Sequence, residues 1–137
     1  MKSRLRSLGH GLLLAGLIGG AGFAVARADP AETAPQYVKF EPVIVPVFID
    51  NRSAGLLSVR VYLEAENSKA RARIEAQRPR LIDAYTNQLI RHARLHIDPA
   101  APIDVAALSE ALTQATIPVI TGEHVRVLIL EAMAQPA

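Results

Sequence analysis

From Leu57 to Glu66 the chain alternates without a break, with Leu57, Val59, Val61, Leu63 and Ala65 apolar and Ser58, Arg60, Tyr62, Glu64 and Glu66 wet. Successive side chains of a strand point to opposite faces, so the pattern specifies a half-buried strand, one face on a core and the other in water. Such a strand needs neighbours on its edges and a layer over its apolar face. The remaining segments must supply both.

One neighbour is the segment Tyr37 to Ile49, which is rich in β-branched residues. Pro42 and Pro46 each lack a backbone donor, which assigns this strand to a sheet edge or gives it a bulge. The turn-rich run Asp50 to Gly55 connects the two, so they read as an antiparallel hairpin. The other neighbour lies at the far end of the chain. Thr121 and Gly122 turn the backbone, and Val125 to Leu130 is apolar at every position but Arg126, which predicts a central strand covered on both sides.

Three helical segments lie between. Lys69 to Gln77 is a short polar helix in which Arg71 and Glu75 have i,i+4 spacing. Pro79 then interrupts, and because proline costs little at a first helical position, a second helix is expected to begin there. Its Leu81, Ile82, Tyr85, Leu89 and Ala93 form an apolar stripe, with Arg80, Asn87, Arg91 and Arg94 opposite. Asp104 is placed to cap a third helix, with Ile103 and Leu108 at the positions of a hydrophobic staple. Val105, Leu108, Leu112 and Ala115 form its stripe, and Pro118 stops it. The expected fold is α+β, an antiparallel sheet covered by helices in the order ββαααβ, with the last strand inside the sheet.

The first 28 residues read differently. Lys2, Arg4 and Arg6 are followed by the uncharged, mostly apolar run Gly11 to Ala26 and by Ala26, Arg27 and Ala28, a small-x-small cleavage pattern. Residues 1–28 are thus expected to be a signal peptide, or an anchor in the inner membrane if they are retained. Ser7 to Ala26 is long enough to span a bilayer, and Gly16 and Gly20 have the spacing that lets membrane helices approach. Residues 29–36 read as a linker and 37–135 as a periplasmic domain. The leader carries four of the 15 basic residues and none of the 13 acidic ones, so the part beyond it is slightly acidic.

That remainder is long enough for one domain and too short for two. It has no cysteine, which excludes disulfides and thiolate metal sites, and no tryptophan, which argues against a large stacking platform for nucleotides or sugars. Export argues against nucleic acid as a partner. Ser53, Ser58, Ser68 and Ser109 lie outside any strained nucleophile turn, and Glu64 and Glu66 share a solvated face, so no catalytic residue and no cofactor are expected. His92 and His96 are four apart and could face one metal ion with Asp98 or His124 as a third ligand. They lack the metalloprotease glutamate and lie on the side of the packing stripe, so no metal site is expected. The arginines Arg71, Arg73, Arg78, Arg80, Arg91 and Arg94 concentrate positive charge on the helical layer. They read either as a solvated helix face or as a contact surface for an acidic partner or anionic lipid headgroups, with Arg80, Arg91 and Arg94 the candidate contact residues.

Three segments carry a resemblance to the FliL family of flagellar basal-body-associated proteins. Tyr37 to Val45, with its aromatic start and Pro42 before a β-branched run, resembles that family's opening strand. Pro79 to Tyr85, with Leu81 and Asp83, is similar to its helix start, and Gly122 to Glu131 to its final strand. The resemblance implies a stomatin-like fold, a periplasmic place beside flagellar stator or basal-body proteins, possible homo-oligomers, membrane association if the leader is kept, and support of motility by binding without catalysis. The alternative is a periplasmic adaptor or binding module unrelated to flagella, sharing only the fold.

Overall fold

A computed structural model describes residues 34–137; the leader and most of the linker lie outside the described residues. The elements run β1 (Gln36–Lys39), β2 (Val43–Ile49), β3 (Arg52–Ala65), α1 (Ser68–Ala76), α2 (Arg78–His96), α3 (Val105–Thr116) and β4 (Val125–Pro136). The architecture is α+β with an all-antiparallel sheet and the order ββαααβ, except that the opening strand is split.

The split lies at Pro42. Both halves pair with the same side of β3, β1 from Gln36 opposite Ala65 to Lys39 opposite Tyr62, and β2 from Val43 opposite Val59 onward. A bulge between Val47 and Phe48 shifts the register further along. Both prolines thus sit on an edge, where a missing donor costs least. The turn to β3 is only Asp50 and Asn51, at φ of 49° and 60°. Positive φ at both central residues matches the right-handed twist of a hairpin, and Asp and Asn tolerate it. The alternating strand therefore begins at Arg52, five residues before Leu57, within what the sequence presents as a connection.

The expectation that the last strand is central is overturned. Among the described residues β4 pairs only with β3, from Val125 opposite Ala65 to Pro136 opposite Gly55, and forms the second edge of the sheet. The central strand is β3, held on both sides along most of its length. A bulge between Arg60 and Val61 in this ladder makes Leu130 the extra residue of β4. The strand also runs six residues past Leu130, because ladder pairing with β3 holds Ala132, Ala134 and Gln135 despite their weak strand preference.

All three helices pack on one face. Asn67 caps α1 by accepting from the Ala70 N–H at 2.9 Å, and Asp104 caps α3 by accepting from the Ala107 N–H at 3.0 Å. Pro79 lies in the first turn of α2, which starts at Arg78 without a side-chain cap. Leu81, Tyr85, Leu89 and Ala93 of α2, and Leu108 and Leu112 of α3, are buried against Leu57, Val59, Val61, Leu63 and Ala65 of β3. Each large side chain so buried contributes about 1.5–3 kcal/mol. Tyr85 also joins the helices, its hydroxyl 2.7 Å from Thr116 Oγ1. Burial of the phenol pushes its pKa up to about 12, against a smaller opposing effect of that hydrogen bond, so the hydroxyl stays neutral. Two stripe positions depart from expectation, since Ile82 and Val105 are exposed. The Arg71 and Glu75 side chains do not pair either; Glu75 accepts from Arg78, and Arg71 reaches Gln36. No helix among the described residues is long and apolar enough to cross a membrane.

Candidate functional site

Three surfaces carry chemistry. The first is the outer stripe of α2. Residues 80, 91 and 94 lie 11 and 14 positions apart by number, close to whole turns of a 3.6-residue helix, so Arg80, Arg91 and Arg94 share one side and all are exposed. Arg80 donates to the Gln77 side chain at 3.5 Å and Arg91 to that of Gln88 at 2.5 Å; both acceptors are neutral. The four ion pairs among the described residues are Arg60–Glu131, Lys69–Glu123, Arg78–Glu75 and Arg126–Glu64. None involves the stripe. Arg80, Arg91 and Arg94 thus share an exposed side of α2 with one carboxylate, Asp83, and none of the three is held in an ion pair among the described residues. Arg78 is different, since it bonds Glu75 and the Lys39 carbonyl and lies over the Phe40 ring at 4.7 Å, a structural clamp between α2 and the sheet.

The second surface is the sheet face opposite the helices. The register places Ile44, Ser58 and Met133 in one row, Pro46, Leu56 and Gln135 in the next, and Lys39, Tyr62 and Leu128 in another. Ile44 is 61% exposed, Leu56 47% and Met133 41%, and the bulged Leu130 beside them is 52% exposed. Polar contacts flank this apolar area. Arg60 and Glu131 face each other across β3 and β4 at 3.6 Å, Glu64 accepts from Arg126, and the Lys39 ammonium lies 5.6 Å over the Tyr62 ring. Sequence reasoning treated this face as simply wet and missed its apolar members. The signal was present in Leu56 beside Leu57 and in the doubly apolar run Val127 to Leu130.

The third surface is an open groove of about 530 Å³ between α2 and α3, lined by Gln88, Arg91, His92, Leu95, His96 and Glu110 among others. His92 and His96 do share a side, but they differ in burial. His92 is 5% exposed and packs in the seam, whereas His96 is exposed. Their rings lie 4.8 Å apart, tilted by 44°. The Nε2 of His92 is buried without a hydrogen-bond partner, which costs about 1–3 kcal/mol for an orphaned polar atom. Burial holds this imidazole below its ordinary pKa, the neighbouring His96 adds to that, and Asp104 pulls weakly the other way. The third ligands considered from sequence do not join the pair. Asp98 accepts from the Ala100 N–H, and His124 lines a separate groove with Pro35, Glu64, Glu66 and Arg126. No group of three or more His, Cys, Asp or Glu side chains suited to a metal ion occurs among the described residues.

The serines are scattered. Ser53 and Ser58 lie on β3, Ser68 opens α1, and Ser109 is on α3. The Ser109 carbonyl accepts from the Thr113 hydroxyl, an ordinary helix contact. Comparison of the chain with protein-family models, with curated proteins and with solved structures found no match.

Proposed function

We infer that this chain is a non-catalytic binding module of the cell envelope, exported by its leader and acting in the periplasm through the outer stripe of α2. The observation that supports this is the row of Arg80, Arg91 and Arg94, exposed on one side of a 19-residue helix, in excess over the single carboxylate of that side, Asp83, and outside every ion pair among the described residues. A guanidinium presents several donors in a planar fork that matches carboxylates, so a row of them favours an acidic protein surface. Such a contact speeds encounter and selects the partner more than it adds affinity. The FliL-like segments make flagellar stator or basal-body proteins the first partners to test, with support of motility as the outcome.

The test is charge reversal of the row by Arg80→Glu, Arg91→Glu and Arg94→Glu together. Recovery of the partner with the envelope protein should fall, and swimming should weaken, while the melting temperature stays unchanged because all three side chains are exposed. Normal swimming after removal of the whole protein would overturn the flagellar part and leave a periplasmic adaptor. Undiminished partner recovery with the reversed row would overturn the docking surface itself.

A further inference from the structure

We propose that the groove between α2 and α3 holds an exchangeable divalent transition-metal ion, with His92 and His96 as its two protein ligands and water at the remaining positions. Residues four apart on a helix stand one above the other, so two imidazoles at this spacing can reach a common point without moving the backbone. The separation of the rings agrees with this. With metal–nitrogen bonds of about 2.0–2.1 Å, two imidazoles on one ion have ring centres about 4.5 Å apart at a right angle and about 5.2 Å apart at the tetrahedral angle. The observed 4.8 Å falls inside that interval.

An independent observation points the same way. His92 lines the groove, is almost fully buried, and its Nε2 has no hydrogen-bond partner, a polar atom left unsatisfied by the packing of the seam. His96 is exposed, and its side chain makes no hydrogen bond among the described residues, so its ring is free to turn toward an ion bound by its neighbour. Imidazole nitrogen suits zinc, copper and nickel and discriminates against magnesium and calcium, which require oxygen.

The rest of the groove sets the strength of the site. Glu110 of α3 lines it and brings a negative charge, but among the described residues no third side chain completes a shell, so the ion keeps solvent ligands and exchanges. Arg91 also lines the groove and opposes a cation, its guanidinium donating to Gln88, another lining residue. Two neutral ligands beside one arginine make a labile, micromolar site, open to a further ligand from another molecule.

Titration calorimetry of the untagged full-length chain with zinc chloride at pH 7.5 tests this directly. One ion per chain with a micromolar Kd is expected, and His96→Ala and His92→Gln should each weaken binding at least tenfold. The chain also contains His10 and His124; His10→Ala and His124→Ala should leave binding unchanged. His96 is exposed, so its substitution keeps the fold and gives a clean reading even if His92→Gln does not. Heat no larger than dilution, binding undiminished in His96→Ala, or binding abolished by His124→Ala would each overturn the proposal.

Discussion

The two faces of β3 come from one strand and one stretch of sequence, and they behave oppositely. On the face toward the helices, Leu57, Val59, Val61, Leu63 and Ala65 are completely buried. On the other face, Leu56 is half-exposed among Arg60, Tyr62 and Glu64, and Ile44 and Met133 lie across from Ser58 in the neighbouring strands. Alternation divides the two sets, but it does not decide which side gains a covering layer. That is decided by the helices, whose apolar stripes can satisfy only one face. The comparison teaches that the stability of this domain resides on one side of its sheet, while the other side carries apolar surface that stability does not require.

The sharpest test of this division is a truncation on the covered face. Leu57 lies at the centre of the core, paired with Val45 on one side and Ala134 on the other. Leu57→Ala should destabilise the domain by about 2–5 kcal/mol, from lost burial and from the cavity left under the helices. Urea unfolding followed by circular dichroism measures it. A loss below 1 kcal/mol would mean that the helical layer collapses easily onto the sheet and that the core is less tightly packed than its burial implies.

A second substitution strikes the ladder on which both faces depend. A Cβ built on Gly55 would lie 2.0 Å from the Gln135 carbonyl oxygen, so the backbones of β3 and β4 approach there as only glycine allows. Gly55→Ala should cost about 1–3 kcal/mol through overpacking. It should also detach the last residues of β4, from Ala134 to Pro136, from their register with β3. Amide hydrogen exchange should show faster exchange confined to that end.

Much of the covered face was legible in the sequence. Leu57 to Ala65 announced their strand by period two, Asp104 announced a cap, and Pro42 and Pro46 announced an edge, each through a local physical rule that the three-dimensional structure then obeys. The role of β4 was not legible. Val125 to Leu130 is apolar on both faces, and that usually signals burial on both sides; here Leu128 and Leu130 are apolar on an open face instead. The same ambiguity hid the apolar area of the outer face. Of the candidate surfaces, helical spacing sufficed to align Arg80, Arg91 and Arg94, and the same spacing puts Gln77 three residues before Arg80 and Gln88 three before Arg91, the side chains to which these two donate. The unequal burial of His92 and His96 depended on where α3 crosses α2, which no local pattern records.

Acid should also act on the covered side. His92 is buried there, with His96, Asp104 and the groove residues Arg91 and Glu110 around it. Its folded-state pKa is lowered relative to the unfolded chain, so the folded state binds fewer protons. The stability contribution is therefore present above the unfolded value of about 6.5 and is lost as pH falls below it through the folded pKa. Thermal unfolding in the presence of a chelator should show a melting temperature that declines between pH 7 and pH 5, with a smaller decline in His92→Gln. Equal declines in both chains would place the acid sensitivity elsewhere.

The smallest effect is expected on the open face. Arg60 and Glu131 oppose each other across β3 and β4 at 3.6 Å, each about half-exposed. Cross-strand ion pairs in contact with water are worth about 0–1 kcal/mol, and salt screens them further. Arg60→Ala should accordingly change stability by less than about 1 kcal/mol, and the difference should shrink in 0.5 M sodium chloride. The value of the experiment is that it can fail in an informative direction. If the same substitution cost as much as a core truncation in the full-length chain, Arg60 would have to be desolvated there, and the face that the described residues leave open would be covered by something beyond them. A small, salt-sensitive loss keeps that face exposed and keeps the two sides of β3 as unequal as their burial makes them.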